Sequence, residues 1–156
     1  MRTSWSALRW VLWRTGTGLR HGQIRDALVE DGRPCHKPPW GMLHAVNLNT
    51  GEICWQVPVG EDSKSGVRGF TNFGPPLVTA GGLVFHAGSK ELKLRAHDAT
   101  TGVVLTTFDL PAGLHAGPIT YKLRPDGKQY LVVAPGGHVK LGSKLGDYIV
   151  AYTLPD

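Results

Sequence analysis

Leu43-His-Ala-Val-Asn-Leu-Asn-Thr-Gly51 occurs a second time, as Leu94-Arg-Ala-His-Asp-Ala-Thr-Thr-Gly102. Leu, Ala, the Asn/Asp, Thr and Gly keep their places at an offset of 51 residues. Self-similarity at such a period, with short alternating runs and glycine turns, marks a propeller or a similar array of small sheets. One such unit can bury its apolar face only against a neighbour, so the units are expected to stack.

Strands and turns follow outward from the repeat. Met42 to Asn47 and Ile53 to Val57 read as a hairpin closed by Leu48-Asn-Thr-Gly51, the outer half of a blade. Gly60 to Gly74 is a polar, glycine-rich connection. A complete four-strand unit is expected next, over Pro76–Thr79, Leu83–Ala87, Leu92–Asp98 and Val103–Phe108. Gly117-Pro118 then echoes Gly74-Pro75, and three strands of a further unit follow at Ile119–Leu123, Gln129–Ala134 and Asp147–Leu154. The fold class is all-β, about two to two and a half blades of a propeller. Both ends of such an array carry open sheet edges, which closed propellers avoid by pairing the two chain ends. Residues 1–40 offer no strand for that purpose, so a stable monomer is not expected.

Composition agrees with many turns and few long helices: 21 Gly and 11 Pro in 156 residues, with 8% aromatic residues. The net charge of +5 is lopsided. Residues 1–40 hold seven Lys/Arg against three Asp/Glu, and residues 41–156 hold ten against nine. The repeat region therefore lacks the basic stripe of a nucleic-acid binder. Cys35 and Cys54 form neither a CxxC pair nor a metal signature and read as two unrelated thiols.

Residues 1–30 are of another kind. Trp5, Trp10 and Trp13 stand among Arg2, Arg9 and Arg14, and Trp10-Val-Leu-Trp13 is too short for a membrane span. An interfacial helix can be drawn there without one clear apolar face. The preferred reading is an irregular or short helical leader, with the blades over residues 31–156.

An ordered set of motifs carries a family resemblance. Lys37-Pro-Pro-Trp-Gly41, Asn47-Leu-Asn-Thr-Gly51-Glu-Ile-Cys-Trp55, Gly74-Pro-Pro-Leu-Val-Thr-Ala-Gly-Gly82, Leu110-Pro-Ala-Gly113, Gly136-Gly-His138 and Leu145-Gly-Asp-Tyr148 follow one another. The run resembles the C-terminal part of pyrroloquinoline-quinone (PQQ) dependent dehydrogenases, nearest to the glucose and quinate group. The resemblance implies an eight-bladed propeller of which this chain is a fragment, with PQQ and Ca²⁺ or Mg²⁺ near its axis. It implies oxidation of a sugar or polyol hydroxyl or hemiacetal carbon, with electrons passed to a quinone. It also implies a periplasmic setting, in some members with membrane anchoring. Two departures stand out: Thr106 occupies the position that Trp55 holds one repeat earlier, and Val139 follows the Gly-Gly-His run where the family has Gly.

The candidate site residues are few. By resemblance, the loop bearing Gly136, Gly137 and His138 lies over the central cavity, where the imidazole of His138 can hydrogen-bond a substrate hydroxyl at neutral pH. No catalytic base and no metal ligand is assigned, since the family carries them upstream. Asp98, Asp109 and Asp147 read as turn or blade residues. His115 reads as supporting or structural, and His44, His86 and His97 as blade packing. Trp40 and Trp55 read as fillers of the gaps between blades. Lys140 and Lys144 could face a PQQ carboxylate, but solvated loop charges are the simpler reading. Gly81-Gly82 and Gly136-Gly137 are not phosphate cradles, because no helix follows either pair. The alternatives are a non-catalytic propeller scaffold or blade-repeat binding module, or a short module completing a ring with about three copies. On the main reading the chain alone is expected to be inactive.

Overall fold

The computed structural model describes residues 37–62 and 65–154. They form nine strands: β1 (Met42–Val46), β2 (Ile53–Pro58), β3 (Leu77–Val78), β4 (Leu83–His86), β5 (Lys93–Asp98), β6 (Val104–Asp109), β7 (Ile119–Lys122), β8 (Gln129–Val133) and β9 (Val150–Thr153). A single 3₁₀ turn, Val139–Leu141, interrupts the last long connection. The strands make three antiparallel sheets, β1-β2, β3-β4-β5-β6 and β7-β8-β9. This is the expected hairpin, full blade and three-strand blade of a partial propeller. The expected leader over residues 1–30 and Cys35 lie outside the described residues.

The sequence repeat returns as repeated geometry. In the first sheet Ala45 pairs with Trp55 and Val46 with Ile53, with a bulge between Ala45 and Val46. One repeat later Ala96 pairs with Thr106 and His97 with Val104, with the bulge between Ala96 and His97. The turns match too. Gly51 N–H donates to Asn47 O at 2.7 Å and Gly102 N–H to Asp98 O at 2.8 Å. Both glycines sit at positive φ, 76° and 75°, where a side chain is strained. The acidic or amide residue opens each turn from its side chain. Asn47 Oδ1 accepts the Asn49 N–H at 2.9 Å, and Asp98 Oδ1 accepts those of Thr100 and Thr101 at 2.9 and 2.8 Å. These bonds hold the Asp98 carboxyl below the usual carboxylate range, with the Thr101 backbone contributing most. Its role is structural, as the turn reading required.

Alternation along each strand sends one set of side chains to each face, and two seams result. Leu43, Val59, Val84 and Ala99 are buried between the first two sheets, with Trp55, Val57 and Val78 packed against them. Phe85, Leu94, Ala96, Leu131 and Val133 fill the second seam, joined by Leu110 and Leu114 from the connection after β6. Each of the Val, Leu and Phe side chains among them contributes about 1.5–3 kcal/mol when fully withdrawn from water. The last strand is shorter than the expected Asp147–Leu154. Gly146 N–H donates to Gly136 O at 3.2 Å, so that stretch is held to a loop before the ladder with β8 begins.

Topology also sorts the connections. The tight turns near Asn47–Gly51, Thr79–Gly82, Asp98–Gly102 and Arg124–Gly127 close the sheets on one side. In an antiparallel meander the alternate connections must then leave from the opposite side. Those are the long segments 59–76, 87–92, 110–118 and 134–149, and every candidate loop residue is on them.

Candidate functional site

Four loop segments converge on His138. The chain leaves β8 through Pro135, Gly136 and Gly137, and Gly137 turns at φ 73°. A Cβ there would lie 2.3 Å from the Lys144 carbonyl oxygen, so only glycine lets the two strands of this loop pass so closely. At Gly136 no comparable crowding exists. Backbone bonds fasten the loop to its neighbour: Gly137 N–H donates to Gly113 O at 2.8 Å and Gly113 N–H to Lys144 O at 2.9 Å.

His138 itself is half-buried and extended, at φ −153° and ψ 115°. Its ring is held between Phe73, with centroids 5.9 Å apart, and His115, at 5.6 Å and nearly edge-on. The Nδ1 atom is buried and has no hydrogen-bond partner among the described residues. The His138 N–H donates to Ser143 Oγ at 2.8 Å. Ser143 Oγ in turn lies 2.8 Å from His115 Nε2, and His115 Nδ1 lies 3.1 Å from Gly88 O. Burial pushes the His115 pKa down, and the nearby His138 adds to this against the opposing Gly88 bond. The site thus offers one fixed imidazole with a spare nitrogen, beside an aromatic wall and a second, neutral imidazole.

The remaining sequence-based candidates lie elsewhere. His86 and His97 are buried in the first seam, with ring centroids 6.5 Å apart. Burial, with help from His97 and Arg95, drives the His86 pKa down to about 3. His97 is also pushed down by burial, although its Nδ1 bonds to Gly102 O at 3.0 Å. Packing is their role, as expected. Trp55 fills the same seam: its Nε1–H donates to Ala99 O at 2.9 Å and its ring covers Gly102. Trp40 packs edge-on against Phe70 at 5.7 Å. Lys140, Lys144 and Asp147 are exposed, and Asp109 is exposed and pairs with Lys93 at 3.0 Å. Cys54 is free and exposed. No group of three or more His, Cys, Asp or Glu among the described residues is placed to hold a metal ion.

Sequence reasoning missed Ser143, Phe73 and Gly88, which build the surroundings of His138. The contacts of His115 with Gly88 and Ser143 join residues 27 and 28 positions apart and follow no periodicity. A polar Ser between glycine-rich turns in Gly142-Ser143 was the one available signal.

Known proteins match this chain along most of its length. A family described as glucose/ethanol/alcohol dehydrogenase, beta-propeller domain (PQQ) matches residues 13–131. A probable quinate dehydrogenase (quinone) from Xanthomonas campestris pv. juglandis is 44% identical over 135 residues, covering 80% of this chain and 17% of the relative. The quinoprotein glucose dehydrogenase of Escherichia coli K12 is 40% identical over 150 residues, covering 89% and 19%. Among solved structures, a quinohemoprotein alcohol dehydrogenase from Pseudomonas putida HK5 superposes with a TM-score of 0.57 at 25% identity, over 72% of this chain and 16% of that one. The chain therefore spans less than a fifth of the length of these relatives. Repeated blades, two packed seams and a match across residues 13–131 lead to one conclusion: the chain belongs to the PQQ-dependent glucose/ethanol/alcohol dehydrogenase β-propeller family.

Proposed function

We propose that this chain supplies C-terminal blades of a PQQ-dependent dehydrogenase acting on a sugar or polyol, of the glucose or quinate type. The observation that carries the reading is His138. Its ring is fixed on the loop side of the blades and keeps one buried nitrogen with no hydrogen-bond partner among the described residues. An unpaired buried polar atom is costly unless something else satisfies it, and a substrate hydroxyl or a polar atom of the cofactor would do so. Gly136 and Gly137 bring the loop to that position.

PQQ, when bound, supplies the quinone that accepts two electrons from the substrate carbon. The described residues fit one rim of such a pocket, through His138. They do not fit its cation, since no ligand cluster is present among them. By the family resemblance, the general base and the Ca²⁺ or Mg²⁺ ligands are assigned to blades upstream of the described residues. A quinone acceptor completes the reaction, and the parent works in the periplasm, associated with the inner membrane. No helix among the described residues is long and apolar enough to cross a membrane. Exposed apolar residues on the outer sheet faces, Ile53 and Ile119 among them, suit further blades on both sides.

Two measurements test this. Purified chain given PQQ, Ca²⁺, glucose and a dye acceptor is expected to show no turnover. Sustained turnover would refute the incompleteness. Residues 37–154 spliced into the matching blades of the E. coli relative should restore PQQ-dependent sugar oxidation, and His138→Ala in that chimera should raise KM about tenfold, the worth of one hydrogen bond. An unchanged KM would remove His138 from the substrate.

A further inference from the structure

Ser143 is buried and polar, and the reading above gives it no task. Its surroundings are tight. A Cβ on Gly113 would lie 2.8 Å from Ser143 Oγ and 3.0 Å from His115 Nε2, so the backbone at Gly113 leaves room for this one bond and little else.

The directions of the hydrogen bonds follow from donor chemistry. A carbonyl oxygen only accepts, so the proton between His115 and Gly88 O belongs to Nδ1. In the neutral ring, Nε2 is then a lone pair. Ser143 O–H must donate to it, which leaves the Ser143 oxygen to accept the His138 N–H. A serine hydroxyl ordinarily rotates among partners. Here the 2.8 Å bond to His115 prevails over the other acceptor in reach, His138 O at 3.5 Å, because the His115 ring has one tautomer. Gly88 O also accepts the Phe73 N–H at 3.0 Å, so both rings flanking His138 hang from a single carbonyl. Gly88 sits at φ 124°, and a Cβ there would lie 2.1 Å from Gly74 N.

We infer that Ser143 is a positioning residue: oriented by His115, it fixes the backbone of His138 and thereby aims the His138 ring. This rests on the reading of His138 as the substrate-facing group. Ser143 touches no reacting atom in this scheme. It acts by keeping the imidazole from swinging, which matters because a reacting geometry is sensitive to small displacements.

The test uses the full chain and needs no cofactor. Long-range ¹H–¹⁵N spectra of the wild type should show His115 neutral and protonated at Nδ1. The Nε2–H form would overturn the proposal without any variant being made. Amide hydrogen exchange at His138 should be slow in the wild type and about tenfold faster in Ser143→Ala, with Leu131 on β8 unchanged. Ser143→Thr, which keeps the hydroxyl, should retain the protection. Equal exchange at His138 in wild type and Ser143→Ala would sink it. PQQ with glucose, added to the spliced protein described above, separates the two claims. His138 signals that fail to move count against the functional reading, while the His115 tautomer and the exchange result decide the role of Ser143.

Discussion

The two seams of this molecule are built from the same repeat and are held together by different chemistry. The first, between β1-β2 and β3–β6, contains Trp55 over Gly102, its Nε1–H on Ala99 O, and two buried histidines. Arg95 lies at its edge, paired through both guanidinium nitrogens with Glu91 and 3.9 Å from Glu61. The second, between β3–β6 and β7–β9, is a run of aliphatic and aromatic side chains, with Phe108 against Tyr152 at 4.9 Å. Thr106 occupies the register position of Trp55 there and leaves the anchor out. A repeat fixes where each strand and turn lies. It leaves open whether a seam is closed by one large directional anchor or by distributed apolar contact.

The largest test of that difference is Trp55→Ala. It removes a half-buried indole and its hydrogen bond together, and urea unfolding should show a loss of about 3 kcal/mol. A loss below about 1 kcal/mol would mean that the first seam does not depend on its anchor. Next comes Gly137→Ala, which forces a side chain into positive φ and against the Lys144 carbonyl. A cost of about 2 kcal/mol is expected, with NMR shifts confined to the loops around His138 and both seams intact.

Acid should distinguish the seams as well. His86 is held at about 3 in the folded chain against 6.5 when unfolded, so between those values the unfolded chain binds a proton that the folded chain refuses. Stability from this group is complete above about pH 6.5 and is lost as pH falls through the window, by at most about 1.4 kcal/mol per pH unit. His97 shifts in the same direction. Comparing urea midpoints near pH 7.5 and near pH 5, His86→Leu should lose about 2 kcal/mol less than the wild type on acidification. Equal losses would place the acid sensitivity elsewhere. The smallest effect is expected from Thr106→Trp. With no described counterpart of Gly102 to cover, the added indole should change stability by less than about 0.5 kcal/mol, measured in the same way. A gain of several times that would show a hidden docking surface beyond β9.

Most of the fold was legible because the repeat transmits register. Knowing that Leu94 answers Leu43 places Ala96 opposite Thr106, once Ala45 is set against Trp55. The bulges were not legible: nothing in Ile53-Cys54-Trp55 or Val104-Leu105-Thr106 announces an extra residue. Strand ends were blurred where loop bonds compete with the ladder, as at Gly146. The site was half legible. Gly136, Gly137 and His138 stand out as a motif, and the structure places them on one loop beside His115. Ser143, Gly88 and Phe73 did not stand out, because an ordinary serine and a carbonyl acquire meaning only when distant loops meet. Asp98 fits its turn reading because its carboxyl closes the turn, Asp109 pairs with Lys93 on the neighbouring strand, and the seam histidines are enclosed by packing.

The tight turns and the long connections leave the sheets in opposite directions, and this has a practical use. The exposed tip at Arg124–Asp126, closed by the Gly127 N–H on Arg124 O at 3.0 Å, points away from His138 and belongs to neither seam. A fluorescent label or an affinity peptide inserted there becomes a handle for immobilising the blades with the rim that bears His138 turned outward.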